Sequence, residues 1–470
     1  MKIALRLIFI FLLNLLTTAA QAQDVIMSPA EARRTTTVIR NDDTSSSSIV
    51  LPDEDASRPG EPRYGRRVIP SLEESISAFE NGDMDTAFKD FDRLAPQGDA
   101  TAEFYLGVMI DRGLGTTKNP FGAVSWYRKS AEQNYLPAIT YMGYVYSVGH
   151  GTAQDDKEAF KWYTKAAQMG NADAQNAVGT MLRDGRGYKK DDQLAAQWFL
   201  QAATQNHARA QSNLAAMYFL GHGVKANIST AVYWYTMAAK QKDILALTAL
   251  AAMYHTGVGV DKNPAMAVQY YEAAAEQGHV PAEVALAQMY ENHEGDVTKN
   301  ASDAAVMYAH AARKGNLEAE MRLGYYTENG IGLPQDIPAA VGWYTKASDK
   351  NYVPAMMALA RLYEDGKGAA LPADLKKAVT LYRVCATSGN PEAEMKMGAL
   401  YRDGKGVFKD LTNAYEWYAL AAEDFPEGEN KHAALKNRIE MSNALTESQL
   451  AQARQFLSRW KQIPVESQYR

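Results

Sequence analysis

From Ser71 onward, apolar residues recur with a helical period. In AFKWYTKAAQMGNADAQNAVGTMLRDGRG (159–187), count Ala159 as zero. Positions +3, +4, +7 and +8 are then Trp162, Tyr163, Ala166 and Ala167. At about 100° per residue they share one stripe with Ala159, which predicts an amphipathic helix. Near +11 a glycine turn follows, as at Gly98, Gly170, Gly278, Gly315 and Gly389. Ala174, Val178, Met181 and Leu182, at +15, +19, +22 and +23, form a second stripe. Position +20 carries Gly or Ala (Gly107, Gly143, Gly179, Ala215, Gly324, Gly398). Glycine there costs about 1 kcal/mol of helix propensity, so a close helix–helix approach is expected.

The unit repeats. Its opening Ala stands at 87, 123, 159, 195, 231, 267, 304, 340, 378 and 414. The interval is 36, with one of 37 before 304 and one of 38 before 378. Such a fixed period marks a repeat array, here of helical hairpins. The chain divides into a signal peptide (1–22), a disordered tail (23–70), an N-terminal capping helix (71–86), the array (87–422) and a C-terminal capping region (423–470). In the last, LTESQLAQARQFLSRW predicts a helix near 445–460, with Thr446 as N-cap and Gln449 three residues on as a capping box. Terminal caps are needed because each repeat buries its faces only against its neighbours.

The turns MLRDGRG (181–187), LYEDGKG (362–368) and LYRDGKG (400–406) hold glycines around a basic residue, as a phosphate loop does. A phosphate loop, however, follows a strand and opens a helix. Here Gly185, Gly366 and Gly404 sit at +26, where the second helix ends. A left-handed C-cap is predicted at each.

The full pattern A-x-x-W-Y-x-x-A-A-x-x-G-x-x-x-A-x-x-x-L-G-x-x-Y-x-x-G-x-G stands almost complete in AVYWYTMAAKQKDILALTALAAMYHTGVG (231–259) and AVSWYRKSAEQNYLPAITYMGYVYSVGHG (123–151). It resembles the Sel-one-like repeat (SLR), a branch of the tetratricopeptide superfamily, over about 87–422. The resemblance implies an all-α fold, a right-handed α-solenoid of about nine to ten helix-turn-helix repeats. It also implies a non-catalytic adaptor or scaffold for proteins or peptides. Bacterial members are often exported, which brings in a second reading, a periplasmic regulator of a membrane sensor kinase controlling envelope or exopolysaccharide genes. A third is a cell-wall-associated enzyme or glycan-binding protein. ENHEGDVTKN (291–300) and GKGAALPADLKK (366–377) depart from the pattern by one and two extra residues. Some relatives stitch their repeats with disulfides and have been linked to β-lactam binding. This chain lacks those cysteines, so that activity does not carry over.

Charge and chemistry narrow the picture. Lys2 and Arg6, the apolar Leu7–Leu16 and Ala20-Gln21-Ala22 form a secretory signal, with Gln23 as the mature start. Cleavage removes two positive charges and takes the formal charge from −6 to −8. An acidic exported chain is a poor nucleic-acid binder. No transmembrane segment is expected after cleavage, and a monomer is. Cys385, the one cysteine, sits at +7, where other units carry Ala or Ser, and reads as core. His150 and His222, both at +27, lie two repeats apart. With helix layers about 8–10 Å apart, they cannot share a zinc at about 2 Å per bond. No metal, cofactor or catalytic set is expected. The Trp row at +3 (Trp126, Trp162, Trp198, Trp234, Trp343, Trp417) matches the core stripe. Positions +5 and +6 of the first helix lie off it. They are basic at Arg93, Arg128, Lys129 and Lys165, with Lys346 further on, and apolar at Leu200, Met237 and Ala273. That row is the candidate surface for an acidic or amphipathic peptide, including one from a membrane protein's periplasmic domain.

Overall fold

The computed structural model describes residues 71–295 and 300–462. The signal-peptide and tail assignments (1–22 and 23–70) lie outside the described residues. Among those described there are 22 α-helices, one 3-10 turn and no strand. In chain order the first are α1 (Leu72–Glu80), α2 (Met84–Leu94), α3 (Ala100–Arg112), α4 (Pro120–Glu132), α5 (Leu136–Val148), α6 (Asp156–Gln168) and α7 (Ala172–Asp184). Next come α8 (Asp192–Thr204), α9 (Ala208–Leu220), α10 (Ile228–Lys240), α11 (Ile244–Thr256), α12 (Pro264–Ala275), α13 (Val280–Glu291), α14 (Ala301–Arg313) and α15 (Leu317–Asn329). The last are α16 (Ile337–Ser348), α17 (Val353–Asp365), α18 (Leu375–Thr387), α19 (Pro391–Asp403), α20 (Leu411–Asp424), α21 (Glu429–Ala444) and α22 (Glu447–Gln462). From α2 to α20, even helices are the first helices of the repeats and odd ones the second. The chain divides at Lys262/Asn263 into two compact units; within each, helices up to α21 pack on their neighbours in sequence, and the closing α22 packs on α20.

Within each unit the core is a column of small and aromatic residues. The opening Ala and the Ala at +15 are fully buried throughout, as at Ala123, Ala138, Ala159 and Ala174. The ring at +4 is the large core residue: Tyr127, Phe199 and Tyr235 in the first unit, Tyr308, Tyr344, Tyr382 and Tyr418 in the second. The tryptophans at +3 are half-buried and flank this column. The glycine at +20 faces the ring at +4 of the following repeat. A Cβ on Gly107 would fall 2.8 Å from the Tyr127 ring, and one on Gly179 2.7 Å from Phe199. The missing side chain thus admits the next repeat's ring. Second helices of neighbouring repeats also touch each other in the first unit, α5 with α7 and α9 with α11.

The helix ends follow local chemistry. Gly185 and Gly404 are left-handed C-caps, as predicted. Gly366 is not. It has φ 66° but ψ 173°, and the chain leaves α17 extended. The two extra residues of this connection are taken up in a small loop in which Lys367 N–H donates to Leu371 O at 2.7 Å. The segment expected as one capping helix (71–86) is broken at Asn81–Asp83, where α1 stops and Asp83 caps α2. The closing helix is α22. Thr446 N–H donates to Gln449 Oε1 at 3.0 Å and Gln449 N–H to Thr446 Oγ1 at 3.4 Å. Helix α21 was not expected from the sequence. It buries only Ala434 and Met441, so it carries no apolar stripe.

Candidate functional site

The row at +5 and +6 is built by helical spacing. Trp at +3 and Lys at +6 are one turn apart, so the ammonium lies over the indole. Lys129 Nζ is 4.1 Å from the Trp126 ring centroid, Lys165 Nζ 5.7 Å from Trp162 and Lys346 Nζ 5.2 Å from Trp343. Lys165 also donates to Ala131 O at 3.4 Å, and Lys346 to Ala312 O at 3.2 Å. Both carbonyls belong to the last turn of the preceding first helix, where a cation complements the dipole. Arg128 donates to the hydroxyl of Tyr146. Arg93 is exposed, Leu200 is 41% exposed, and Met237 and Ala273 are half-buried. The cations at Arg128, Lys129 and Lys165 therefore have neighbours on the array itself.

A second set pairs a buried polar residue of one repeat with an exposed one of the next. Position +16 pairs with +10 of the next repeat: Gln133 donates to Glu103 at 2.8 Å, Gln205 to Gln175 at 2.7 Å and Gln241 to Gln211 at 2.9 Å. In the second unit the pairs become ionic. Lys346 and Lys350 reach Glu320 at 2.9 and 3.3 Å, while His310 and Lys314 reach Glu283 at 2.8 and 3.4 Å. The last pair is two acids. Burial, then the charge of Asp424, pushes the Glu394 carboxyl up to about 9.

Acids at +24 form a third set. Glu291, Glu328 and Glu364 accept the hydroxyls of Tyr308, Tyr344 and Tyr382 at 3.0, 3.0 and 2.7 Å. Arg322, Arg361 and Lys396 lie at 3.5, 2.7 and 3.0 Å from the same carboxylates. Burial opposes charge on Glu328, but the Arg361 hydrogen bonds and charge outweigh it and hold the carboxyl below its usual range. Burial pushes the tyrosine hydroxyls up, so they stay neutral donors.

Asp111 holds the corresponding place in the first unit. It is 4% exposed and meets Tyr141 Oη at 2.8 Å, Tyr127 Oη at 3.3 Å and His150 Nε2 at 2.6 Å. This brings His150 into a carboxylate cluster. His222 shares its turn position, but the sequence spacing gave no sign of the acid one repeat earlier. Cys385 is buried, and burial pushes its thiol up to about 11, which keeps it protonated. Among the described residues no cluster of three His, Cys, Asp or Glu is placed to hold a metal ion, and no helix is long and apolar enough to cross a membrane.

The model of the Sel1 repeat matches nine consecutive segments: 100–135, 136–171, 172–207, 208–243, 244–279, 280–316, 317–352, 353–390 and 391–424. These segments begin at the second helix of the unit counted above. Among solved structures, a protective antigen of uropathogenic Escherichia coli displaying an SLR fold is similar, with 26% identity and a TM-score of 0.55, over 81% of this chain and 96% of that one. A Sel1 repeat protein from Oxalobacter formigenes is similar over 62% of this chain and 87% of its own, with 30% identity and a TM-score of 0.51. No curated protein matches.

Proposed function

Because the chain belongs to the Sel1 repeat family, we propose that it is an exported, non-catalytic scaffold that binds proteins or peptides along the array. One observation carries this reading: nine repeats follow one another without a gap in a single register. The stacked helices offer a long preformed surface on each unit. A partner meets it through many modest contacts, and little ordering is needed on the scaffold's side. The polar groups at +16 and +24 are engaged in bracing one repeat to the next, which leaves recognition to the surface rows. Export rests on Lys2, Arg6, Leu7–Leu16 and Ala20-Gln21-Ala22.

A photo-crosslinking amino acid placed in turn at Tyr144 (on a second helix) and Leu200 (on a first helix), in the protein's own cells, tests the scaffold. A discrete protein adduct from either position supports it. Glycan fragments as the sole adducts from both would sink it in favour of a wall-binding role. N-terminal sequencing of the mature protein tests export, with Gln23 as the expected first residue; retention of Met1 would count against it.

A further inference from the structure

A shallow open cavity of about 480 Å³ lies on the third repeat, in the first unit. Its floor is a single stripe of α6: Lys157, Phe160, Lys161, Thr164, Lys165 and Gln168. Its wall is Gly187 and Tyr188, from the turn that follows α7. The wall is fixed in place. A Cβ on Gly187 would lie 2.0 Å from Asp156 O, so only glycine lets the turn rest on the start of α6. Arg186 donates to Asp156 at 2.7 Å and pins it there. Tyr188 then stacks on Phe160, with centroids 5.1 Å apart and planes 9° from parallel, yet stays 57% exposed.

The lining carries three lysines and no acid, while Asp155, Asp156, Glu158, Asp191 and Asp192 adjoin it. Lys157, Lys161 and Lys165 stand at i, i+4 and i+8, and Lys189 and Lys190 follow Tyr188. Lys161 is paired with Glu158 and Lys190 with Asp192, both on the surface, where such pairs are worth roughly 0–1 kcal/mol and exchange readily. Lys157 and Lys189 have no acid partner among the described residues.

We propose that this cavity binds an acidic peptide segment of a partner protein, with carboxylates on the lysine row and an apolar or aromatic side chain against Phe160 and Tyr188. The inference rests on the scaffold reading and gives its partner a chemistry. Lysines four residues apart on a helix are spaced by about 6 Å. Alternate side chains of an extended chain recur at about 6.6 Å, so acids at every second position of a bound strand meet successive lysines. The apolar wall calls for a side chain that a simple polyanion lacks.

The probe is a fluorescein-labelled peptide of alternating glutamate and serine with one tyrosine, titrated against the full chain by fluorescence anisotropy. In Lys157→Glu/Lys161→Glu the dissociation constant is expected to rise roughly tenfold or more, since rows of like charge then face each other. In Tyr188→Ala a rise of about threefold is expected from the lost stacking area. Lys376→Glu/Lys377→Glu, an exposed pair in the second unit, should bind as wild type. Unchanged thermal melts show that the variants fold. Equal affinity in all variants overturns the proposal, as does an equal loss in the Lys376/Lys377 control. Binding of a polyuronate with no dependence on Tyr188 reassigns the patch to polyanions and also overturns it. So does peptide binding that appears only when residues 23–70 are deleted, because the chain's own segment is then the occupant. A protein adduct from Tyr144 alongside any of these failures leaves the scaffold reading standing.

Discussion

Gly143 on α5 lies under the ring of Tyr163 on α6, so close that a Cβ on the glycine would fall 2.5 Å from the ring's Cδ1. The contact joins one repeat to the next, and equivalents recur at Gly107/Tyr127, Gly179/Phe199, Gly324/Tyr344 and Gly398/Tyr418. Gly143→Ala should gain up to about 1 kcal/mol of helix propensity. It should lose roughly 1–3 kcal/mol to overpacking, because the neighbour is a ring held between helices. The net expectation is destabilisation, read as a lower midpoint in urea. A stabilised Gly143→Ala protein would mean that the second and third repeats can separate at little cost.

The end of the array carries a pH-dependent pair. Glu394 is 1% exposed, and its Oε2 has no hydrogen-bond partner. Burial, then Asp424, pushes its carboxyl up to about 9, and burial, then Asp410, pushes Glu416 up to about 7. Both stay protonated in the fold at pH values where the unfolded chain ionises. Their contribution to stability is therefore full below about pH 4.5 and lost as pH rises through about 7 and 9. Glu394→Gln should flatten this dependence and stabilise the protein at pH 8 by roughly 1–3 kcal/mol, because the amide removes the ionisation that favours the unfolded chain there. Melts of both proteins from pH 5 to pH 9 check it; parallel curves would refute the assignment.

Much of the fold is legible in the sequence because the pattern repeats. The Gly at +20 announced a close approach, and its period matched the ring at +4 that it accommodates. Which edge of the first-helix stripe sits deeper was not legible. Trp162 and Tyr163 are neighbours in sequence, and the apolar period treats them alike. The structure buries the +4 ring in most repeats, as at Tyr127, Phe199 and Tyr235, and leaves the +3 tryptophan half-buried; in the third repeat Tyr163 is half-buried too, next to Trp162 and Lys165. The polar pairs were hidden for a different reason. Gln175 and Gln205 lie 30 residues apart, and the same place is filled by Glu320 with Lys350, then by Glu394 with Asp424. The geometry is constant while the residue types change, so no motif marks it. The cavity walled by Tyr188 was equally hidden, because it depends on how a turn settles on the neighbouring helix.

Asp111 should matter more to the first unit than its single charge suggests. It serves Tyr127, Tyr141 and His150 together. Asp111→Ala leaves these donors facing an apolar gap and should cost about 2–4 kcal/mol, since each stranded buried partner costs about 1–3 kcal/mol. Asp111→Asn keeps one acceptor oxygen and should cost less. Urea titrations of both variants decide this; equal losses would show that the size of the side chain, not its hydrogen bonds, is what the site requires.

Glu328 gives the second unit the opposite pH slope to Glu394. Arg361 Nη2 lies 2.7 Å from both of its oxygens, and Lys367 and Tyr344 complete the shell. Burial alone would raise this carboxyl, but Arg361 wins and holds it low. A depressed carboxyl contributes stability above about pH 4.5 that is lost as pH falls through its folded value. Arg361→Ala should cost roughly 2 kcal/mol near neutrality, less than the 3–5 kcal/mol of stripping a buried charge bare, because Lys367 and Tyr344 remain. The same substitution should make the loss of stability on acidification begin at a higher pH, since Glu328 then takes up its proton more readily. Melts of wild type and Arg361→Ala between pH 3 and pH 6 separate the two accounts. If the curves stay parallel, Arg361 stabilises by packing its stem on the repeat, and the ion pair contributes nothing of its own.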